Sequence, residues 1–385
     1  MYNLKELMLL VSSEYTPMPA AAASRIRPWV DVLEALGANV RVLTSKSADA
    51  NSPLVERSFF SAPCNRASLV LRLIQEIFLG FDLGLRMFSK RRKTKLCLIT
   101  SPPFFMASIC SVFARWGGIP YMIDVRDRYP RVLVDLGVLK ASGILHKSFS
   151  ALESWICSGA ISLTTVTHGL KLEIGEAFPA KETHLLPNGY DEEIFTEDLL
   201  SVDKATEFTV VYHGRLGRFY DLQTYLEVMK LVEKADPSIR FLMIGDLPDE
   251  LAQAGCANLT ILPAMQLEDL AKQLAFCHLG LCVLRELPAM KKAFPAKAYD
   301  FLGAGLPMLV GPAGELAEAV ESMGCGVSFT KVSPEEVSQS IIELKQDSAR
   351  WSLLRDQTIQ HRNYFGRRKL ASLHFTSMLK GFKIG

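Results

Sequence analysis

Along almost the whole chain, short apolar runs alternate with longer stretches whose apolar residues recur every three to four positions. LMLLV (7–11), NVRVLTS (39–45), KLCLITS (95–101), PYMIDVRD (120–127) and AISLTTVT (160–167) have the length and aliphatic content of strands. Between the first two, ASRIRPWVDVLEALG (23–37) spaces Ile26, Val30, Leu33 and Leu36 along one helix face and stops at Gly37. Such alternation predicts parallel sheets built from βαβ units. A polar stretch, PNGYDEEIFTEDLLSVDKATE (187–207), interrupts the pattern and reads as an interdomain linker. The alternation then restarts with FTVVYHG, IRFLMIGD, LTILPA, LGLCVL, PMLVG and GVSF, separated by helical stretches such as LQTYLEVMKLVEKA and LEDLAKQLAFC.

The expected architecture is α/β: two doubly wound Rossmann-like domains, 1–190 and 191–365, with a final helix over 366–385 able to cross back and complete the first. In such sheets ligands bind beyond the carboxyl ends of the strands, which places the expected site in an interdomain cleft.

Composition narrows the class. The chain has 385 residues, 49% hydrophobic and 22% charged, with a formal net charge of +2. That suits a globular enzyme and gives no nucleic-acid-binding footprint. The eight cysteines include no CxxC pair and mostly lie inside apolar runs, so they read as reduced core thiols of a cytoplasmic protein. MYNLKELMLLVSS is too short and too acidic for a signal peptide, and no window reaches the roughly 18 apolar residues of a membrane span. One segment changes this picture. Residues 66–95 read as a long helix, apolar on one side, with eight basic and two acidic residues. Two readings fit it: a helix lying on an anionic membrane surface, or a packing helix with a solvated basic end.

The chemistry concentrates at predicted strand ends. KKAFPAKAYDFLGAGLP (291–307) reads as one short helix, with Pro295 in its first turn and Gly305 at its stop. Phe294, Ala298, Phe301 and Leu302 share an apolar face, and Lys297 and Asp300 fall together on another. The pair is either a surface ion pair or a site gripping an anion and a ribose diol at once. After FTVVYH comes GRLGRFYDL, with Gly214, Arg215, Gly217 and Arg218 just before a helix. Glycines admit close backbone approach, and a helix N-terminus with two guanidiniums suits a diphosphate; a plain turn with solvated arginines is the alternative. Gly245 in MIGD, Pro263 in LTILPA, and Gly314, Glu315 and Leu316 in GPAGELAEAV repeat the strand-end turn.

In the first half, IDVRDRYP packs Asp124, Arg126, Asp127 and Arg128 onto a strand end, as an ion-pair network or as catalytic groups. Ser101 in TSPPFF, Arg25 after the loop SSEYTPMPAAAA, Asn188 in LPNGYD, and His168 at a helix start are further acceptor-side candidates. His168 and His213 fit structural roles better than that of a base. No Asp-x-Asp pair or His/Cys cluster calls for a metal, and no cofactor is expected.

Taken together, DVRDRYPRVLVDLGVLK, LPNGYDEEIF, GRLGRFYDL, PAKAYDFLGAGLP and GPAGELAEAV, in this order, resemble the family 4 glycosyltransferases of GT-B fold. Within that family they are most similar to an O-antigen and capsule subgroup that includes N-acetylfucosamine-type transferases. The wider family carries two glutamates eight apart in its donor-binding helix; here Lys292 and Asp300 occupy those positions, and the subgroup also lacks the first. Asp in place of Glu shortens the ribose ligand by about 1.5 Å. The usual glycine-rich turn after the first strand is glycine-free, PMPAAAAS (17–24), and Asp221 stands where glycine is common.

The resemblance implies retaining transfer of a hexosyl or N-acetylhexosaminyl group from a nucleotide donor, UDP foremost, to a lipid-linked or other glycan in cell-surface polysaccharide synthesis. Arg215 and Lys297, with Arg218 behind them, would stabilise the departing diphosphate, helped by amides at Gly314–Leu316. Asp300 would hold the ribose, and Asp127 would orient the acceptor hydroxyl. The alternatives are another GT-B enzyme such as a nucleotide-sugar epimerase, whose acid–base chemistry wants carboxylates and histidine in the second domain, and a non-catalytic scaffold.

Overall fold

In a computed structural model describing residues 6–16, 21–48, 52–64 and 68–381, the alternation becomes two parallel sheets. The chain divides into two compact units, one of residues 1–187 with 368–385 and one of residues 188–367.

The first unit contains β1 (Leu7–Val11), α1 (Ala21–Ala35), β2 (Asn39–Thr44), β3 (Val55–Arg57), α2 (Leu69–Ser89), β4 (Thr94–Ser101), α3 (Phe104–Trp116), β5 (Tyr121–Val125), α4 (Arg131–Asp135), α5 (Ile144–Gly159), β6 (Ser162–Thr165), α6 (His168–Ala177) and β7 (Thr183–Leu185). Its sheet runs β3-β2-β1-β4-β5-β6-β7, all parallel. β1, β4 and β5 are apolar on both faces because helices cover both sides of the sheet.

The second unit contains β8 (Thr209–His213), α7 (Leu222–Ala235), β9 (Arg240–Ile244), α8 (Asp249–Ala252), β10 (Leu259–Leu262), α9 (Leu267–Phe276), β11 (Leu279–Val283), α10 (Ala296–Gly303), β12 (Met308–Gly311), α11 (Glu315–Met323), β13 (Gly326–Ser328), α12 (Pro334–Gln346) and α13 (Ser348–Arg362). Its order is β10-β9-β8-β11-β12-β13. Strand order therefore reverses beside β1 and β4 in one sheet and beside β8 and β11 in the other. These are the positions where an open α/β sheet leaves a crevice at its carboxyl edge. The last helix, α14 (Arg367–Gly381), buries Ala371, Phe375 and Met378 in the first unit, with Phe375 edge-on to Trp29 at 5.3 Å.

Several expectations change. The edge strands β3 and β7 are three residues long and only partly buried, so no apolar run announces them. Ile26, Val30 and Leu33 are buried as expected, whereas Leu36 lies past the end of α1 and is exposed. The stretch 187–207 is not a free linker. Tyr190 and Phe195 are buried in the second core against Gly303, where a Cβ would come within 2.7 Å of the Tyr190 ring. The helix expected over 66–95 spans Leu69–Ser89, and Thr94–Lys95 already belong to β4; residues 66 and 67 lie outside the described residues.

α2 packs on α3 through Gly80 and Gly84. A Cβ on Gly84 would come within 2.2 Å of the Phe113 ring, so only glycine lets these helices approach so closely. All eight cysteines are free, six of them buried. No helix among the described residues is long and apolar enough to cross a membrane.

Candidate functional site

The second unit's crevice at β8 and β11 is built around α10. The stretch 291–307 is not one helix: a 3-10 turn over Pro288–Lys292 precedes α10, and Pro295 stands at the cap position before it rather than in its first turn. Ala304 ends the helix and Gly305 follows in the left-handed conformation, with φ of 62°. Nor do Lys297 and Asp300 lie on a solvated face. Every residue from Lys297 to Gly303 is buried, and these two side chains belong to residues only 7% exposed.

Lys297 is the most unusual group in the unit. Its Nζ has no hydrogen-bond partner and rests 3.5 Å from the ring centroid of Tyr212 and 3.9 Å from that of Tyr220. Two ring faces thus stand in for an anion, a weaker partner than the water the amine gave up. Burial accordingly lowers its pKa to about 7, against the opposing pull of Cys282 and Asp300. Asp300 is shifted the other way, to about 7, mainly by burial; the charges of Arg367 and Lys297 favour its ionised form and that of Asp191 opposes it. His213 Nε2 lies 3.6 Å from the Asp300 carboxylate. Burial and then the Lys297 charge hold this imidazole neutral, with a pKa near 3. His213 at the end of β8 is therefore a neutral neighbour of Asp300.

Three glycine turns border this group. Gly214 follows β8 at φ of 93°, and a Cβ there would lie 3.9 Å from Lys297 Cε. Gly245 follows β9 at φ of 137°, its would-be Cβ 2.3 Å from the Gly214 carbonyl oxygen. Gly314 caps α11 at φ of 155°, its would-be Cβ 2.5 Å from the Lys291 carbonyl oxygen. Gly245 and Gly314 pass another backbone at a distance no side chain permits, whereas Gly214 is required by its positive φ alone. Leu316 is buried in the core, so only its amide is available to a ligand, whereas Glu315 at the helix start is half-buried.

Arg215 is exposed and pairs with Asp246 at 3.7 Å, and its carbonyl oxygen accepts a hydrogen bond from the Tyr212 hydroxyl at 2.7 Å. The Tyr212 residue that carries Lys297 thus also pins the backbone of Arg215. Arg218 and Pro263 are exposed at the same edge of the sheet.

Sequence reasoning missed Tyr212 and Tyr220. Aromatic residues in VVYHG and GRFYDL read as core, and their only trace is the pair of tyrosines flanking the glycine turn.

The strand-end charges of the first unit divide into two groups. Arg25 and Asp124 are fully interior: Arg25 Nε and Nη2 donate to Asp124 at 3.0 and 2.8 Å, and Thr164 Oγ1 donates to it at 2.8 Å. The Arg25 guanidinium also lies over Trp29 at 4.5 Å. Of the two readings of IDVRDRYP, the ion-pair network describes this half, and the pair fastens α1 to β5. Replacing Arg25 by methionine is expected to destabilise the protein by about 3–5 kcal/mol, because Asp124 is then left charged and buried. A urea midpoint unchanged by that substitution would contradict the assignment.

The second group lines the carboxyl edge. Asp127 is exposed, yet the protein mass around it raises its carboxyl pKa against the fields of Arg126 and Arg72. Glu14, after β1, is raised by burial with Arg126 and Arg72 again opposing, a neighbour no motif announced. Arg126 donates to the Pro102 carbonyl at 2.7 Å, and its amide to that of Ser101 at 2.9 Å. Arg128 is tied back to Glu153 and Glu173. His168 is exposed at the start of α6, where Thr167 Oγ1 caps the Leu170 amide at 3.3 Å. Asn188, half-buried, is the first residue of the second unit. The glycine-free turn expected at 17–24 lies outside the described residues from 17 to 20.

Residues 207–347, most of the second unit, match the model of the family described as glycosyl transferases group 1. A probable glycosyltransferase, WbjE of Pseudomonas aeruginosa, is 23% identical over 308 residues, covering 76% of this chain and 77% of that protein. Among solved structures, sucrose-phosphate synthase from Thermosynechococcus elongatus superposes with a TM-score of 0.72 at 16% identity, covering 98% of each chain. Anabaena HepE, solved in complex with UDP, does so with a TM-score of 0.68 at 15% identity, covering 98% of this chain and all of that one. The two parallel-sheet units are thus those of the GT-B glycosyltransferase fold, and the unit holding Lys297 and Asp300 carries the match to the group 1 glycosyl transferases.

Proposed function

We propose that the protein is a retaining glycosyltransferase that moves a hexosyl or N-acetylhexosaminyl group from a UDP-sugar to a lipid-linked glycan, in the cytoplasm, during cell-surface polysaccharide synthesis. The observation that carries the reading is Lys297: a buried amine without a hydrogen-bond partner, beside glycine turns at the sheet's switch point. An amine held on two ring faces is ready for an anion that its own chain does not supply.

In this reading the difficult step is departure of the diphosphate from an oxocarbenium-like carbon. Negative charge grows on the leaving group, so donors placed in advance act most strongly in the transition state. Lys297 and Arg215 take that charge, Arg218 stands behind them, and the amides of Gly314, Glu315 and Leu316 complete the cradle. Arg215 first exchanges Asp246 for the diphosphate. Asp300 accepts the ribose hydroxyls. In the first unit Asp127 orients the acceptor hydroxyl, whose proton leaves with the phosphate. Charge neutralisation is assigned to side chains and amides, so transfer is proposed to need no metal. The UDP in the HepE complex and the probable activity of WbjE support the donor class and the reaction class.

Calorimetry with UDP-, GDP- and TDP-sugars in the presence of EDTA tests this. Selective binding of a UDP-sugar is expected; no binding to any of them would favour a non-catalytic scaffold.

A further inference from the structure

Helix α2 is apolar on two sides, and only one of them is used. Glu76, Leu79, Gly80, Leu83, Gly84 and Met87 form the buried side against α3. On the other side Leu71, Ile74, Phe78, Phe81 and Leu85 recur at intervals of three and four and are all exposed, Phe81 by 50%. A stripe at that spacing is the usual mark of a face turned to a core, yet this one faces outward.

Neighbouring elements extend it. Phe60 stacks on Phe78 at 5.5 Å, Phe59 is 78% exposed, and Trp116 at the end of α3 is 73% exposed and 5.0 Å from Phe88. From Leu71 to Leu85 the stripe runs about 21 Å at the helical rise. So long an apolar strip is too extensive to be chance surface composition.

Charge decides what covers it. Between residues 83 and 123 the chain has seven Lys or Arg and no Asp or Glu. The acids that precede this stretch are already matched: Glu76 with Arg72, Asp82 with Arg86, and Glu56 with Arg86 and Lys90. Arg86 lies over Phe59 and Arg91 over Phe88, so the cations merge into the aromatic end of the stripe. A second copy would bring the same basic end without acids to meet it. An anionic bilayer meets both requirements, with headgroups for Arg91, Arg92 and Lys93 and an acyl boundary for the phenylalanines. Trp116 sits where an interfacial tryptophan is favoured.

We infer that the outer face of α2, with Phe59, Phe60 and Trp116, is a docking surface for an anionic lipid bilayer, on which the helix lies in the interface plane. This goes beyond the sugar chemistry and does not depend on it.

Vesicle flotation of the full chain, with no nucleotide or sugar present, tests it. The protein is expected to float with vesicles of equal parts phosphatidylglycerol and phosphatidylcholine at low salt. It should bind pure phosphatidylcholine much less and weaken as salt rises. The double variant Phe78→Ser/Phe81→Ser is expected to lose more than about tenfold in partitioning, since together the two half-exposed rings give up about one full side chain of apolar burial. Leu353→Ser, an exposed apolar residue of the second unit, should float as the parent does. Both phenylalanines are about half exposed, so the double variant should still unfold in one cooperative transition, at a somewhat lower Tm, and flotation below that transition separates lost docking from lost folding. Failure of the parent to float with anionic vesicles would overturn the proposal, as would a double variant that floats equally well. A dimer dispersed by Phe78→Ser/Phe81→Ser, without vesicle binding, would assign the face to a second copy and overturn it too.

Discussion

Replacing Lys297 by methionine is expected to lower turnover by about 10²–10³-fold while raising the stability of the second unit. The first effect is the loss of one preorganised donor to a developing phosphate charge. The second follows from the resting state. The lysine amine is buried on two tyrosine rings with no hydrogen-bond partner, so a thioether of similar length removes a desolvation penalty and leaves the packing intact.

The pH dependence identifies the cause. The folded-state pKa of Lys297 is depressed from 10.5 to about 7. The unfolded chain therefore binds more protons between those values, and the parent's stability from this group rises across that window. Below about pH 7 the amine is charged in both states and the penalty is complete; above about 10.5 it is absent. The advantage of the methionine variant should be greatest at neutral and acidic pH and fade in alkali. Each kcal/mol corresponds to roughly 2–4 °C in Tm for a unit of this size. If UDP is the ligand, its diphosphate favours the protonated amine. Binding near pH 8 should then take up protons, read as a dependence of calorimetric heat on buffer ionisation enthalpy. A methionine variant that keeps most of its turnover would remove Lys297 from the mechanism.

The second large effect is expected at Asp300. Its substitution by asparagine should weaken UDP binding by roughly 10–100-fold, the worth of one charge-assisted hydrogen bond of about 1.5–3 kcal/mol. Here the sign of the pH effect is opposite. The carboxyl is raised from 3.8 to about 7 by burial, so its protonated form is retained on folding and stability from this group falls as pH rises through that range. Asparagine should flatten that fall. Binding unaffected by Asp300→Asn, with the change in pH–stability profile still present, would make the residue a buried structural acid and leave the ribose to another group.

Much of the fold was readable because its signals are local. β1, β4, β5, β8, β9 and β11 are covered on both faces, so each appears as a continuous apolar run whatever its partners. β3 and β7 lie at edges, half in solvent, and lack that signature. The glycine turns at 214, 245 and 314 were legible for a similar reason: tight passages require glycine, and glycine is visible in one dimension. Arg25 and Asp124 could not be recognised as partners, because 99 residues separate them along the chain and only the fold brings α1 against β5.

The divide is clearest at two helices. Residue order alone established a parallel α/β chain of two units, the strand-end turns, and the three-residue spacing of Lys297 and Asp300, since periodicity and backbone sterics act over a few residues. It left open which side of an apolar helix is covered. In α10, burial on every side decided between the two readings of Lys297 and Asp300 against a solvated ion pair, with two tyrosines from β8 and its loop supplying the lysine's surroundings. In α2 the same periodicity occurs twice, and packing against α3 hid one stripe and left the other exposed. Burial depends on what is brought alongside from elsewhere in the chain, and burial is what sets the charge state of Lys297 and the reach of the Phe78–Phe81 face.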